Sequence, residues 1–489
     1  MLPGHLVKIL ADIFNAAFQN CYFPEAWKEA VVIGIHKPGK PASEPASYRP
    51  ISLLSTIGKL YERIVLDRLK IVAHSHNLLP PEQFRNRHSC VHQILRITEH
   101  VYSKFKLGFN TGALFFDVEK AFDKVWHNGL LYKLYTLNVP TQLVHIIREF
   151  LSNRGFKYRV EGTLSTRHTI SAGVPQGSAL SPFLFSLYTS DIPRFKDAHL
   201  ALFADDTANC ASRRDPEHVV RSLQAAADQL GEWFRKWRIT VNPTKSQANL
   251  LYRKLQVEAP NASLSFSGQI IPCTNKFKYL GVILDRRLTF ILHVNAVRAR
   301  AAFVMGQLHW LLNKNSKMSI RNKIQIFTTC VRPIMTYASP AFAHIPPARL
   351  KRLQVLQNKF LRRAIGAPWY VRNRNLHVDT DMPTIRHFMH MASRRYFDKA
   401  VNHPNPLIRL NSKYTPFDRA KWRRPRSVLS DPEDDITLAI RLKHEQLKKL
   451  KHCTRPQLRP RRRGPRRIPR PFDPSDNSGP CADVIMLDS

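Results

Sequence analysis

The first residues, MLPGHLVKILADIFNAAFQNCYF, repeat apolar positions with a helical period and predict a helix within 1–30, ended by a turn at Pro24. AVVIGI predicts a strand from Ala30 to Ile35 that runs into the basic turn HKPGKP. Within SYRPISLLSTIGKLYERIVLDRLKIVAH, Leu60, Ile64, Val65, Leu66 and Leu69 form one stripe of a predicted helix. Ser89 to Phe105 predicts another amphipathic helix, GALFFDV (112–118) a short strand with a polar end, and 119–136 a further helix. FKYRVEG and RHTISAG predict a strand pair. SPFLFSLYTSDIP predicts a buried helix, with Ser181 suited to the N-cap and Pro182 to the first turn.

HLALFADDTANCAS predicts two short strands around an Asp-Asp turn. A helix over 216–238 follows, with Leu223, Ala227, Leu230 and Trp233 on its buried side. ANLLYR, SLSFSG and KYLGVILD predict short strands. From 291 to about 400 the pattern is mostly helical, with Arg and Lys on the polar faces. The first half therefore mixes strands and helices, the second is mainly helical, and no internal repeat is visible. From Leu442 the chain becomes Lys-rich and then reads RPRRRGPRRIPRPFDPSDNSGP. Pro and Arg at this density cannot bury a core, so 456–489 is expected to be disordered, serving as an RNA-binding arm or import signal, or simply as a solvated tail.

Charge changes this picture more than composition does. Hydrophobic residues make up 43%, ordinary for a folded protein of 489 residues with several subdomains. Lys and Arg number 76 against 36 Asp and Glu, a formal net charge of +40. Such a surplus implies a polyanionic partner: nucleic acid first, an anionic membrane surface second. No apolar run is long enough to span a membrane, which weakens the second. Cys21, Cys90, Cys210, Cys273, Cys330, Cys453 and Cys481 are scattered without a CxxC pair. This argues for a reducing compartment and against a disulfide framework or a zinc knuckle.

The candidate chemistry is acidic. In LFFDVEKAFDKV, alternation puts Phe115 and Asp117 on one strand face and Leu114, Phe116 and Val118 on the other. Asp117 thus ends an apolar strand, where a carboxylate is costly unless it meets a metal or a donor. In LALFADDTANC, Asp205 and Asp206 repel one another unless a divalent cation lies between them. Either motif alone reads best as an ordinary turn. Together, carboxylates on neighbouring strands can hold two Mg²⁺ about 3.5–4 Å apart. Between the two motifs, Gly173 and Gly177 bracket Val-Pro-Gln and are expected to allow close backbone approach to a ligand.

The ordered set FFDVEKAFD, GVPQGSALSPFLF, FADD, NPTKS and KYLGVILD, preceded by WKEAVVIGIHKPGK and SYRPISLLSTIGKLYERIVLDRL, resembles the reverse transcriptases of non-LTR retrotransposons, jockey-type elements of arthropods in particular. The resemblance covers roughly residues 20–400. It implies an α+β right-hand polymerase with fingers, an antiparallel palm sheet and a mostly helical thumb. It implies metal binding by Asp117, Asp205, Asp206 and the Val118 carbonyl, with two Mg²⁺ and Mn²⁺ as a substitute. Phe122 would exclude a 2′-OH; by itself it reads as a core aromatic. Gln176 and Gly177 would contact nucleotide and template, Lys37 and Arg49 the triphosphate, and Lys245 would protonate pyrophosphate. Tyr279, Leu280 and Gly281 would grip the primer end.

The implied partners are an RNA template, a DNA primer and dNTPs, met in cytoplasm and nucleus. The implied organisation is an N-terminal helical remnant (1–30), fingers and palm (31–290), helical thumb (291–400), a further helical region (401–455) and the basic tail (456–489). Relatives carry an endonuclease ahead of this pattern, and none is expected here; PEQFRNRHSC is also about two residues shorter than their usual stretch, and no RNase H motif set is visible. The competing expectation is a catalytically decayed, element-derived RNA-binding protein.

Overall fold

A computed structural model describes residues 3–84, 88–195, 198–252, 263–414 and 423–453. The basic tail lies outside these residues, as does part of the short PEQFRNRHSC stretch. α1 (Gly4–Gln19) precedes β1 (Glu29–His36), β2 (Tyr48–Leu53), α2 (Thr56–Ser75), α3 (Cys90–Lys106) and β3 (Asn110–Val118). Next come α4 (His127–Thr136), α5 (Thr141–Leu151), β4 (Gly155–Val160), β5 (Thr163–Leu164), β6 (His168–Thr169) and α6 (Ser181–Tyr188). β7 (Ala198–Phe203), β8 (Asp206–Arg213), α7 (Pro216–Lys236) and β9 (Val241–Leu251) follow, then β10 (Ser265–Phe266), β11 (Gln269–Ile270), β12 (Lys276–Tyr279), β13 (Val282–Asp285) and α8 (Ile291–Gln307). After α8 the elements among the described residues are all helical, with long helices at Pro347–Ile365, Ile385–Val401 and Asp435–Cys453.

Two larger sheets result. One has the order β2-β1-β4-β5, with β6 also on β4 and a parallel β1–β4 pair. The other is antiparallel throughout, in the order β7-β8-β3-β9. β3 is buried on both faces, which is why it reads as an apolar run. Leu114 and Phe116 enter one core with Leu223, Ala227 and Leu230 of α7. Ala113, with half-buried Phe115, enters a second core with Ile94 and Val101 of α3 and the C-terminal helices. The predicted alternation along β3 and the buried side of α7 both hold.

Three local expectations are corrected. Residues 119–124 form turns, and α4 starts only at His127. Lys120 has φ +48°, and the carbonyls of Phe122 and Val125, which a helix would use, accept from Val174 (2.7 Å) and Gly173 (2.8 Å). In α2, Leu60 is 43% exposed, whereas Tyr61 and Glu62 are buried. Aromatic packing explains the rotation, because Tyr61 lies 5.6 Å from Phe14 and 5.7 Å from both Phe23 and Trp27 between ring centroids. Ser181 is not the N-cap of α6: the Ser178 hydroxyl accepts from the amides of Leu180 (3.0 Å) and Ser181 (3.3 Å).

Ser178 is itself held by Glu62, whose carboxylate accepts from the Ser178 hydroxyl (2.7 Å) and the Ala179 amide (2.6 Å). Its negative charge also stands opposite Arg154, whose pKa burial lowers to about 10 while Glu62 pulls it back up. Glu62→Ala strands two donors and a buried cation, so it is expected to destabilise the fold by about 2–4 kcal/mol. Glu62→Gln keeps an acceptor and loses less. Urea unfolding midpoints of the two variants check this order, and equal midpoints would contradict it.

Candidate active site

The β7–β8 hairpin turns on two residues, Ala204 and Asp205, with Phe203 paired to Asp206. Ala204 has φ +59°, a backbone an alanine adopts at a cost of about 1–2 kcal/mol. Tertiary contacts hold it there. The Ala204 amide donates to Gln83 Oε1 (3.1 Å), the Phe84 amide to the Leu202 carbonyl (2.9 Å), and Gln93 Nε2 to that same carbonyl (3.2 Å). β3 and β8 are paired as far as Phe116 with Thr207. One step further along this register brings Asp117 level with Asp206, beside the turn that carries Asp205.

On its other side β3 meets β9 through an irregularity between Phe115 and Asp117. NPTKS supplies it. Asn242 Oδ1 accepts from the Lys245 amide (3.1 Å) and the Thr244 hydroxyl (2.7 Å). Ser246 Oγ accepts from the Asp117 amide (3.1 Å) and donates to the Asn242 carbonyl (2.7 Å). This extra length bends β9 and places Lys245 beside Asp117.

The electrostatics match. Burial raises the Asp117 carboxyl above its ordinary value; Lys245 draws it down, while Asp205 and Glu119 push it further up. Asp205 and Lys245 therefore both act on Asp117. Asp206 acts on a further neighbour: its charge is felt by the buried Tyr279 hydroxyl, which burial first and Asp206 second hold well above its ordinary value. Among the described residues no group of three His, Cys, Asp or Glu converges as a ready-made cage. Two mutually repelling carboxylates still fit a divalent cation, because Mg²⁺ takes one or two carboxylates and completes its shell with water and substrate phosphates.

The remaining candidates surround this point. Val118 ends β3 opposite Val241. Half-buried Phe122 stands 5.2 Å from Phe185. Gln176 Nε2 donates to Asp123 Oδ1 (2.9 Å), and its carbonyl accepts from the Ser52 amide of β2 (3.1 Å). A Cβ on Gly173 would lie 2.5 Å from the Asp123 carbonyl oxygen, and one on Gly177 2.7 Å from that of Ser52. Both glycines thus let the 173–177 loop pack against the chain's own backbone. Val32, Pro50, Ser52, Asp123 and Gln176 border a cleft of about 380 Å³ whose lining includes neither Asp117 nor Asp205. Arg49 is exposed on β2 opposite Ile35, and the Lys37 amide, just after β1, donates to the Ser47 carbonyl (2.8 Å).

Tyr279 and Val282 pair across a two-residue turn formed by Leu280 (φ +45°) and Gly281 (φ +86°). Positive φ at both positions is the turn that suits a tight hairpin. The Tyr337 hydroxyl donates to the Leu280 carbonyl (3.0 Å), and Phe115 stacks near Phe277 (4.2 Å) and Tyr279 (5.0 Å). Sequence reasoning missed the supports: Gln83, Gln93, Asn242, Ser246, Asp123 and Glu62. Only Asn242 carried a local signal, as an Asn-Pro-Thr turn.

Residues 35–284 match the family model described as reverse transcriptase (RNA-dependent DNA polymerase), about half of the chain. The chain is 36% identical over 441 residues to a probable RNA-directed DNA polymerase from transposon BS of Drosophila melanogaster, covering 88% of this chain and 48% of that one. It is 35% identical over 436 residues to the probable RNA-directed DNA polymerase from transposon X-element of the same species (88% and 48%). It is 34% identical over 419 residues to the RNA-directed DNA polymerase from mobile element jockey, also of D. melanogaster (84% and 45%). The chain spans about half the length of these relatives, and the expected likeness to jockey-type elements is borne out. By its matched core, the chain belongs to the reverse transcriptase (RNA-dependent DNA polymerase) family.

Proposed function

We propose that this chain is the polymerase part of a non-LTR retrotransposon's RNA-directed DNA polymerase, extending a DNA primer on an RNA template. The observation that carries this reading is the meeting of Asp117, Asp205 and Lys245 at one end of the antiparallel sheet. That sheet is the proposed palm, and the sheet containing β1 and β2 the proposed fingers, within 31–290. The helices of 291–400 form the thumb, 401–455 a further helical region and 456–489 a basic arm, with 1–30 as an N-terminal helical element. Cytoplasm and nucleus are the proposed compartments. Among the described residues no helix is long and apolar enough to cross a membrane.

In the proposed reaction the primer 3′-oxygen bonds to the α-phosphorus of a dNTP, and the bond to pyrophosphate breaks. Asp117 and Asp205, with Asp206 and the Val118 carbonyl as further ligands, would hold Mg²⁺, which would supply charge neutralisation and a lowered pKa for the attacking hydroxyl. The residues do the positioning. Lys37 and Arg49 hold the triphosphate, with Arg suited to bidentate contact. Lys245 holds a proton for the departing pyrophosphate. Gln176, fixed by Asp123, and Gly177 set the nucleotide against the template. Tyr279, Leu280 and Gly281 hold the primer end.

Phe122 closes the sugar site from below, braced by Phe185. Phe122→Val is expected to relax discrimination between dNTP and rNTP by roughly 10–100-fold, the value of one or two removed steric contacts. Single-nucleotide incorporation with dTTP and UTP checks it, and unchanged discrimination would leave Phe122 as packing only. The reading as a whole is tested by extension of oligo(dT) on poly(rA) with Mg²⁺ and dTTP. A folded, RNA-binding chain that makes no product would overturn it.

A further inference from the structure

The segment 286–378 contains 17 Lys and Arg and neither Asp nor Glu. Within it, Trp369 is 87% exposed and Tyr370 69% exposed, the rings standing 6.0 Å apart and nearly perpendicular. A lone exposed apolar residue is ordinary, but an exposed Trp-Tyr pair held rigidly among cations is not.

The rigidity is built in. Helix Pro347–Ile365 ends at Gly366 (φ +74°), and the Ala367 amide returns to the Arg362 carbonyl (3.0 Å). The Arg362 guanidinium then donates to the carbonyls of Pro368 and Val371 (2.7 Å to the latter) and to Asn373 Oδ1 (3.1 Å). One cation is thus spent on fixing the loop that carries both rings. Exposed Arg363, Arg372 and Arg374 flank it in sequence, and Lys314 abuts Gly366, where a Cβ would lie 3.2 Å from the lysine Cβ.

Rings presented edge to face on a braced loop, with cations flanking them and no acid in the segment, suit unpaired bases on a phosphate backbone. A duplex offers no base faces, and an acidic protein would be met by salt bridges without needing the rings. We infer that Trp369 and Tyr370 form a stacking platform for single-stranded RNA, seated on the helical half of the molecule. The choice of RNA rests on the RNA-copying reading. A template is unpaired before it is copied, whereas the new DNA stays paired to it. Pre-organisation by Arg362 lowers the ordering cost of binding.

The test is binding by the full chain of oligo(U), oligo(dT), an RNA–DNA hybrid and phosphatidylserine vesicles, read by anisotropy and tryptophan quenching. Trp369→Ala with Tyr370→Ala is expected to weaken oligo(U) binding by roughly a hundredfold, about tenfold per ring, and to leave hybrid affinity within about twofold. Trp369→Phe restores most of the loss at that position. Unchanged oligo(U) affinity, an equal loss for oligo(U) and hybrid, or a loss on vesicles alone each overturns the platform. Tighter binding of oligo(dT) than of oligo(U) overturns the assignment to RNA. Primer extension run in parallel keeps the two readings apart: a native chain that fails to extend, yet binds oligo(U) through these rings, overturns the copying reading and leaves the platform standing.

Discussion

Asp205→Asn is expected to lower primer extension by about 10³–10⁴-fold, or about 4–5.5 kcal/mol of barrier. The substitution keeps the shape of the side chain and its place in the Ala204–Asp205 turn, and removes one negative charge. That charge acts on Asp117, and its loss would weaken the hold on the divalent cation that is to neutralise the reacting phosphate. Without Mg²⁺ the same charge only repels RNA. Binding of template–primer in EDTA should therefore be unchanged or slightly tighter than for the native chain. Single-turnover extension and EDTA binding measured on one preparation separate the two effects. Extension within tenfold of native would remove Asp205 from the chemistry.

The second large effect is structural. Gly177→Ala is expected to cost about 3 kcal/mol or more and to abolish most activity. Gly177 has φ +120°, a region closed to side chains, and its new Cβ would sit 2.7 Å from the Ser52 carbonyl oxygen. Nothing flexible can give way, because Ser52 is itself tied through its amide to the Gln176 carbonyl (3.1 Å). Relief requires β2 to leave the 173–177 loop, and the cleft bordered by both would open. Thermal unfolding and extension should fall together. An alanine variant with native stability and native extension would show that this contact is dispensable.

What the sequence disclosed was local. Asp117 and Asp205 stood out because each follows an apolar run, and strand period together with a polar end survives in one dimension. Gln83 did not stand out, because its one relevant act is to accept from an amide 121 residues away. Glu62 was hidden by periodicity itself: a carboxylate on an amphipathic helix reads as solvated, and only the cap of α6 explains its burial. The stripe through Leu60 failed for the same reason, since four aromatic rings from three segments decide which side of α2 turns inward. The helix expected over 119–136 had the right propensity, but the loop at 173–174 took its carbonyls. Helical propensity is weak beside such tertiary competition.

The Leu280–Gly281 turn reaches in two directions. Its carbonyl is tied to Tyr337, in the helical half, and its strand is stacked on Phe115, two residues before Asp117. A swing of the helices cannot leave the hairpin behind, and the hairpin cannot shift without pressing on the strand that carries the carboxylate. The molecule thus contains a short mechanical linkage, helix to hairpin to strand, by which the position of the helical half is geared to the end of the strand that carries Asp117.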